Sequence, residues 1–238
     1  MRPCVADVNS DGLADLVLAN YGPVGVLLGQ RDGRFHDAGV ELGVAIDSRY
    51  DSCALADVDH DGALDLYVNG TVSATESFRD HLFTQRDGRF VEVTPPAIGA
   101  LHASHGVQWG DIDGDGALDL ALAGSRPDAP HALFRRVMPD ALARRSLQLR
   151  VVDGQGRATR AGAELRVYAA GTRRLLATRW VDAGSGYNAQ ADLPVHVGLP
   201  STAPVDVEVV MPLGGRRLRH WERGIDPRRT RRLTIRVG

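Results

Sequence analysis

The sequence predicts an all-β protein, built as a partial β-propeller of about three blades followed by a small antiparallel β-sandwich or barrel. Three observations lead to this prediction. A motif rich in aspartate and glycine occurs three times, and its first aspartates stand at positions 7, 57 and 111. Sequence repeats of about 50 residues with several short strands are typical of propeller blades. Helical periodicity is almost absent, and apolar and polar residues alternate from about residue 146 onward, as in half-buried strands.

Each repeat begins with the acidic motif and continues into β-strands. The motif occupies residues 6–16, 56–66 and 110–120. A short apolar run follows its last aspartate each time. A second element, Gln-Arg-Asp-Gly-Arg-Phe, occurs at 30–35 and 85–90, and its Asp-Gly pairs predict tight hairpin turns with positive φ. Phe35 and Phe90, which end this element, are expected to point inward as anchors.

The number of repeats indicates an incomplete ring. Three repeats are too few to close it, since propellers have about four to eight blades. The chain also starts inside the first repeat, without the strand expected before Asp7. These two observations predict a truncated fragment, a partial propeller, or a ring completed by blades from a longer chain or an oligomer.

A sharp change in charge divides the chain into two regions. Residues 1–140 hold 10 Arg against 19 Asp and 3 Glu, a balance of −12, whereas residues 141–238 hold 18 Arg against 5 Asp and 3 Glu, a balance of +10. We therefore expect two domains, residues 1–140 (the N-terminal region) and 146–238 (the C-terminal region). Pro139 to Arg145 is expected to form a short helix between them. Alternating strands of the C-terminal region are predicted at residues 147–151, 164–168, 205–209 and 233–237.

The repeated motif has the pattern D-x-[DN]-x-D-G-x-x-D, which predicts three cation-binding loops. In a tightly coiled loop, side chains at positions one, three, five and nine converge, the glycine at position six permits the turn, and the carbonyl of position seven points inward. Acidic, flexible sites made only of oxygen ligands suit Ca²⁺ better than Mg²⁺. The predicted ligands of about three Ca²⁺ ions are Asp7, Asn9, Asp11, Leu13 and Asp15 in loop 1; Asp57, Asp59, Asp61, Ala63 and Asp65 in loop 2; and Asp111, Asp113, Asp115, Ala117 and Asp119 in loop 3.

An EF-hand is the main alternative for such a loop, and position twelve argues against it. An EF-hand needs a bidentate glutamate there, whereas these loops carry Leu18, Val68 and Leu122 and run into strands. Position nine is therefore expected to supply the bidentate carboxylate. The loops hold 3, 4 and 4 carboxylates, and two such charges about 4 Å apart repel each other by roughly 1 to 4 kcal/mol. An empty loop should thus be poorly tolerated.

Other function classes find little support in the sequence. No apolar run is long enough for a transmembrane helix, and no N-terminal signal peptide is recognisable. The arginine runs at 216–219 and 228–232 are interpreted as solvated strand faces rather than a nucleic-acid surface. Cys4 and Cys53 are expected to be unpaired buried thiols, with a bridge between them as the alternative. No catalytic residue is predicted, and the remaining candidates are interpreted as loop residues, namely His81, His102, His105 and His131.

Two parts of the chain resemble known families. The acidic loops, residues 106–110 before the third loop, and the Arg-Asp-Gly-Arg-Phe hairpin resemble FG-GAP/VCBS repeats of integrin α-type propellers. The C-terminal region is similar to the ASPIC/UnbV domain of cartilage acidic protein 1-like proteins. The residues that carry this second resemblance are 161–167, 184–190, 196–199 and 205–209. Pro200 and residues 211–214 depart from the family's pattern.

The resemblance implies a calcium-binding propeller of a secreted or cell-surface protein with an adhesion-like role. We therefore expect a non-enzymatic binding module located outside the cell, at its surface or in the periplasm, whose partner is a protein or a glycan and not nucleic acid. Weak Ca²⁺ modules agree with such a location, because they fill only where free Ca²⁺ is near millimolar. The alternative is an enzyme, since a few bacterial proteins with similar calcium-binding propellers are biosynthetic enzymes.

Overall fold

The computed structural model describes residues 3–72, 75–101, 104–124, 131–158, 160–182, 191–213 and 216–238. The strands of the N-terminal region are β1 (Pro3–Ala6), β2 (Asp15–Leu18), β3 (Tyr21–Pro23), β4 (Gly25–Gly29), β5 (Phe35–Asp37), β6 (Asp47–Ala56), β7 (Asp65–Gly70), β8 (His81–Arg86), β9 (Arg89–Glu92), β10 (Ser104–Gly110), β11 (Asp119–Gly124) and β12 (Ala132–Phe134). Two short helices are α1 (Pro96–Gly99) and α2 (Asp140–Ala143). The strands of the C-terminal region are β13 (Ser146–Val152), β14 (Glu164–Ala169), β15 (Leu175–Trp180), β16 (Val195–Gly198), β17 (Val205–Leu213), β18 (Arg216–Ile225) and β19 (Arg232–Arg236). The prediction of an all-β protein is confirmed.

The described strands form five sheets in a propeller-like arrangement, where the sequence predicted about three blades and a single sandwich or barrel. Three sheets lie in the N-terminal region, with the strand orders β1-β2-β4-β5, β3-β6-β7-β8-β9 and β10-β11-β12. Two sheets lie in the C-terminal region, with the orders β16-β13-β19 and β15-β14-β17-β18. The paired strands are antiparallel except β13 and β19, which are parallel.

Apolar clusters hold neighbouring sheets together. In the N-terminal region, Val17 and Val26 of the first sheet pack with Tyr50 and Leu66 of the second. The second sheet in turn packs on the third through a separate cluster that contains Tyr67 and the residues around it. In the C-terminal region, one cluster joins both sheets, so that this part of the chain has its own core.

All four strands predicted in the C-terminal region begin within one residue of their observed start. The strands β15, β16 and β18 were not predicted. The short helix expected from Pro139 to Arg145 is present as α2, with Pro139 at its N-cap. Among the described residues, no helix is long and apolar enough to cross a membrane.

Two expectations about the first repeat are wrong. A strand does precede Asp7, because β1 pairs with β2 from Pro3 to Ala6. Phe35 is not an inward anchor: its side chain is 50% exposed, whereas Phe90 is 5% exposed. The difference arises from what covers each strand. Phe35 lies in β5, an outer edge strand, while the amide of Phe90 donates to the carbonyl of Leu42, in the segment that packs over β9.

The expectation of two unpaired thiols is also wrong, since Cys4 and Cys53 form a disulfide with their Cα atoms 6.1 Å apart. Cys4 lies in β1 and Cys53 in β6, which neighbour each other across the boundary between the first two sheets. A Cα separation of this size is within the usual range for disulfides. The bridge therefore connects two sheets that otherwise contact each other through side chains.

We expect the disulfide to contribute about 2–4 kcal/mol to the free energy of unfolding, because it closes a loop in the unfolded chain. The half-cystines are separated by 49 positions. The double variant Cys4→Ala with Cys53→Ala should unfold at a lower urea concentration than the oxidised protein, and a reductant should affect only the latter. Superimposable urea curves for the two proteins would contradict this expectation.

Candidate metal centre

The three acidic loops share one backbone conformation. The glycine at position six is left-handed in each loop, with φ of 84°, 100° and 99° at Gly12, Gly62 and Gly116. Position four is left-handed as well, although the sequence analysis did not identify it. The residues at position four are Ser10, His60 and Gly114. Two left-handed residues within three positions coil the chain tightly around the side chain of position one.

Hydrogen bonds from the loop backbone hold the carboxylates at positions one and five. In loop 2, Asp57 accepts the amides of Asp61 and Gly62 at 3.2 and 3.0 Å. The amide of Ala63 donates to Asp61 Oδ1 at 2.8 Å. Loop 1 repeats all three bonds, and loop 3 repeats the second and the third. These carboxylates are thus oriented by the coil itself.

The aspartate at position nine connects each loop to the strands around it. In loop 2, Asp65 Oδ2 accepts the amide of Val58 at 2.8 Å, and Oδ1 accepts the amide of Gln85 at 3.0 Å. Asp15 and Asp119 make the corresponding pairs of bonds. Both oxygens of position nine are therefore already hydrogen-bonded to backbone. Its predicted role as a bidentate ligand stays a prediction.

Carboxylates at positions one, three and five come together in two of the loops. Ligand atoms of Asp57, Asp59 and Asp61 lie within 4.8 Å of one another, and the same holds for the equivalent residues of loop 3, which are Asp111, Asp113 and Asp115. These clusters could hold a metal ion. In loop 1, position three is Asn9, whose amide donates to Asp11 at 3.1 Å. The predicted carbonyl ligands Leu13, Ala63 and Ala117 stay predictions.

Each of these clusters contains one buried carboxylate oxygen that has no hydrogen-bond partner (an orphaned oxygen), as expected of a site that binds a cation. Asp59 Oδ1 in loop 2 and Asp111 Oδ1 in loop 3 are buried and have no hydrogen-bond partner. A buried carboxylate oxygen without a partner is costly, and a bound cation would satisfy it. The hard, anionic oxygen donors of both loops match the preferences of Ca²⁺.

In loop 2 and in loop 3, a nearby arginine pairs with the carboxylates at positions three and five. Arg86, at the end of β8, lies 2.9 Å from Asp61 and also bonds Asp59. Arg135, just after β12, lies 3.5 Å from Asp115 and also bonds Asp113. Each guanidinium partly offsets the repulsion within its loop. Arg86 belongs to the repeated hairpin element, so its position beside the motif was a signal that sequence reasoning did not use.

In loops 1 and 2, burial raises the pKa of the carboxylates at positions one and nine. It raises the pKa of Asp57 and of Asp65 to about 7, chiefly because their surroundings stabilise a charge poorly. Burial also raises the pKa of Asp7 and of Asp15 in loop 1. The coiled loops therefore collect carboxylates that lack sufficient compensation for their negative charge.

Of the candidate histidines, the three that the structure describes each have a different hydrogen-bond partner. His81 pairs with Glu92 at 3.0 Å and His105 with Asp51 at 2.9 Å. His131 accepts the amide of Gly124. His102 and residues 184–190 lie outside the described part of the chain. The interpretation as loop residues is wrong for His81 and His105, which lie in β8 and β10, whereas His131 lies just before β12.

Two family models match separate parts of the chain. The model of the FG-GAP-like repeat family matches residues 7–68 and 72–122, and the model of the ASPIC and UnbV family matches residues 154–224. The chain is 30% identical over 227 residues to Cartilage acidic protein 1 of Homo sapiens and 29% identical over 228 residues to that of Xenopus tropicalis. Both alignments cover 88% of this chain, which spans about a third of each relative, 32% and 33% of their lengths.

A solved structure is also similar at low identity. It is described as showing specific recognition of non-reducing terminal N-acetylglucosamine by a protein of Agrocybe aegerita. That structure is 14% identical, with a TM-score of 0.37, and the alignment covers 91% of this chain and 64% of the other.

Proposed function

The chain belongs to the proteins that join FG-GAP-like repeats to an ASPIC and UnbV domain, and from this premise we propose that it is a calcium-binding, non-enzymatic binding module that acts outside the cell. Its domains are residues 1–140 and 146–238. Each of the three N-terminal sheets carries one of the acidic loops between two of its strands, and the two C-terminal sheets form the second domain. About three Ca²⁺ ions make the blade loops rigid. The partner is a protein or a glycan in an adhesion-like role.

The single observation that carries the proposal is the pair of coiled clusters with an orphaned oxygen in each. Ligand atoms of three carboxylates converge in loops 2 and 3. Asp59 and Asp111 each keep one buried oxygen unsatisfied. A hard divalent cation with six to eight oxygen ligands would satisfy these oxygens and the surrounding negative charge together.

A location outside the cell is supported by the disulfide. A bridge such as Cys4–Cys53 persists in oxidising compartments and is rare in the cytosol. Free Ca²⁺ is also high enough there to fill weak sites. The location and the proposed metal thus support each other.

Several arginines of the C-terminal region are engaged within the chain, which argues against a nucleic-acid partner. Arg219 pairs with Glu208 at 2.7 Å and Arg228 with Asp226 at 2.8 Å. Arg231 donates to backbone carbonyls of loop 3. Arginines that are engaged within the chain leave less free positive charge for phosphate contacts.

Calcium titration by isothermal calorimetry tests the proposal. The chelator-treated protein should bind about three Ca²⁺ per chain, whereas Mg²⁺ at the same concentration should bind much more weakly. The variant Asp113→Asn with Asp115→Asn should lose one site, because it removes two carboxylates of loop 3. Asp192→Asn, at an exposed site of the C-terminal region, is the matched control and should leave the stoichiometry unchanged. A chain that binds no Ca²⁺ would refute the proposal.

The affinity for calcium should decrease as the pH is lowered. In the absence of a cation, the pKa of Asp57 and of Asp65 is about 7, so below that pH a proton must leave before Ca²⁺ binds. Between pH 8 and pH 6 we expect the affinity of at least one site to fall about tenfold or more. Titrations at the two pH values measure this change, and equal affinities would contradict it.

An enzyme is the second candidate, and one observation favours it. A cavity of about 750 Å³ lies between the two regions and is lined by Trp109, Trp180 and Arg179. Arg179 is buried, and its Nε and Nη2 atoms have no hydrogen-bond partner. Its Nη1 atom donates to the carbonyl of Thr178 at 3.0 Å, and a buried guanidinium with two unpartnered nitrogens can bind an anionic small molecule. Under this alternative, Arg179→Gln would abolish binding of a small carboxylate without changing the calcium stoichiometry.

A further inference from the structure

The C-terminal region lies directly on the three acidic loops. The glycines of the loops face it: Gly12 approaches Leu175, Gly62 approaches Pro200, and Gly114 approaches Arg232. A Cβ built on any of these three glycines would lie 3.3 to 3.7 Å from the residue that it faces. The same edge of each repeat therefore contacts one continuous surface, which we call the seat. It is formed by β13, β15, β16 and β19 with the segments that follow β16 and precede β19.

Hydrogen bonds connect the seat to loop 3. Arg231 Nη1 donates to the carbonyls of Gly114 and Asp115 at 3.2 and 2.9 Å. Gln148 Nε2 donates to Asp111 Oδ2 at 2.5 Å, and Ser146 Oγ donates to the carbonyl of Gly116 at 3.1 Å. The seat thus contacts a candidate ligand as well as the loop backbone.

The seat is shaped around a carboxylate of loop 2. Gly198, at the end of β16, lies against Asp57, whose Oδ2 atom would clash with a Cβ at this position. Any side chain there would displace either the carboxylate or the C-terminal region. His60 of the same loop also reaches across, since its Nδ1 atom lies 2.9 Å from the carbonyl of Leu142 and its ring lies 5.0 Å from that of His196.

Covering the loops in this way desolvates their negative charge. Asp7, Asp57 and Asp65 are each 1% exposed. Arg179 lies in β15, which is part of the seat, and is buried. It places one positive charge near Asp57 and Asp7, but its Nε and Nη2 atoms form no hydrogen bond. One guanidinium without hydrogen bonds at these atoms cannot offset several desolvated carboxylates. A divalent ion in each loop would supply the missing charge in the covered state.

We propose that the C-terminal region is a calcium-dependent latch, which closes on the three loops when they are filled and loosens when they are empty. This inference rests on the calcium binding proposed above. Because coupling is reciprocal, the closed latch must also increase the affinity of the loops for Ca²⁺. The loop edge of the repeats is then occupied by the chain's own second domain, and an external partner binds elsewhere.

Hydrogen–deuterium exchange of the full chain tests the latch. We expect Ca²⁺ to slow exchange about tenfold or more in residues 195–199, which contain no predicted ligand, as well as in the loops. Among the described residues, the hairpin of β17 and β18 forms no hydrogen bond or ion pair with the loops, so its exchange should not change. The comparison is made between excess CaCl₂ and excess EGTA.

Two variants, each with a matched control, change the contact between the seat and the loops without removing a predicted calcium ligand. Gly198→Ala should weaken Ca²⁺ binding about tenfold and abolish the calcium-dependent protection of residues 195–199. Gly154→Ala is its control, because a Cβ there meets nothing closer than 4.0 Å. Arg231→Gln, which keeps the strands intact, should reduce the same protection, whereas Arg229→Gln at an exposed position should not.

The outcomes distinguish the latch from the proposed function. If the loops bind Ca²⁺ and become protected while exchange in 195–199 stays the same, the latch is refuted and calcium binding stands. If no Ca²⁺ binds, the proposed function fails and the latch fails with it. Unchanged exchange in the β17–β18 hairpin of Gly198→Ala would verify that this variant is folded.

Discussion

Adding calcium to the chelator-treated protein is expected to raise its melting temperature by about 10 °C or more. Each site filled at about a hundred times its dissociation constant contributes about 2.7 kcal/mol. For a chain of this size, each kcal/mol shifts the melting temperature by about 2–4 °C. The physical reason is that the empty loops hold buried carboxylates, two with an orphaned oxygen, which the ion would neutralise.

Differential scanning calorimetry in excess CaCl₂ and in excess EGTA measures this shift. MgCl₂ at the same concentration controls for ionic strength and should raise the melting temperature much less. The double variant Asp113→Asn with Asp115→Asn should retain part of the shift, because loops 1 and 2 remain. Identical midpoints with and without calcium would refute the prediction and remove the main support for the proposed function.

Replacing Asp65 by alanine is expected to destabilise the protein by about 2–6 kcal/mol even in EGTA. Both oxygens of this buried side chain accept backbone amides, those of Val58 and Gln85. Removing the carboxylate leaves two buried donors unsatisfied, each costing about 1–3 kcal/mol. The effect should be independent of calcium, because these bonds connect the loop to β8 whether or not an ion is bound.

Asp61→Asn in the same loop is the matched comparison. The new side chain keeps an oxygen for the amide of Ala63 and loses the charge that faces Arg86. We expect a change below about 1 kcal/mol in EGTA, since exposed ion pairs contribute little, together with a loss of part of the calcium-induced stabilisation. Urea unfolding of both variants with and without Ca²⁺ separates the two roles. A small effect of Asp65→Ala in EGTA would show that position nine acts mainly as a ligand.

Local sequence patterns were sufficient to predict the strands after each loop and the coiled loops themselves. Three copies of one motif in register, each with glycine at position six, determine the backbone over nine residues at a time. The alternation of apolar and polar residues predicted the strands that start near 146, 164, 205 and 232. These features depend on neighbours within one repeat or one strand.

Features that depend on neighbouring sheets were not accessible to the same reasoning. Phe35 and Phe90 occupy equivalent positions in a hexapeptide, and only the segment around Leu42 makes one of them buried. The pairing of Cys4 with Cys53 requires that β1 and β6 lie side by side, which no local pattern encodes. The opposite charges of the two regions were visible, but the sequence did not show that one region covers the loops of the other.

The contact between the loop glycines and the C-terminal region also restricts how the two regions can evolve. A side chain gained at Gly198 would meet Asp57, so a substitution on one side has to be matched by a change on the other. Exchanging this domain between homologues would place a foreign surface against the acidic motifs. Such chimeras should succeed only when the residues at the junction are transplanted together with the domain.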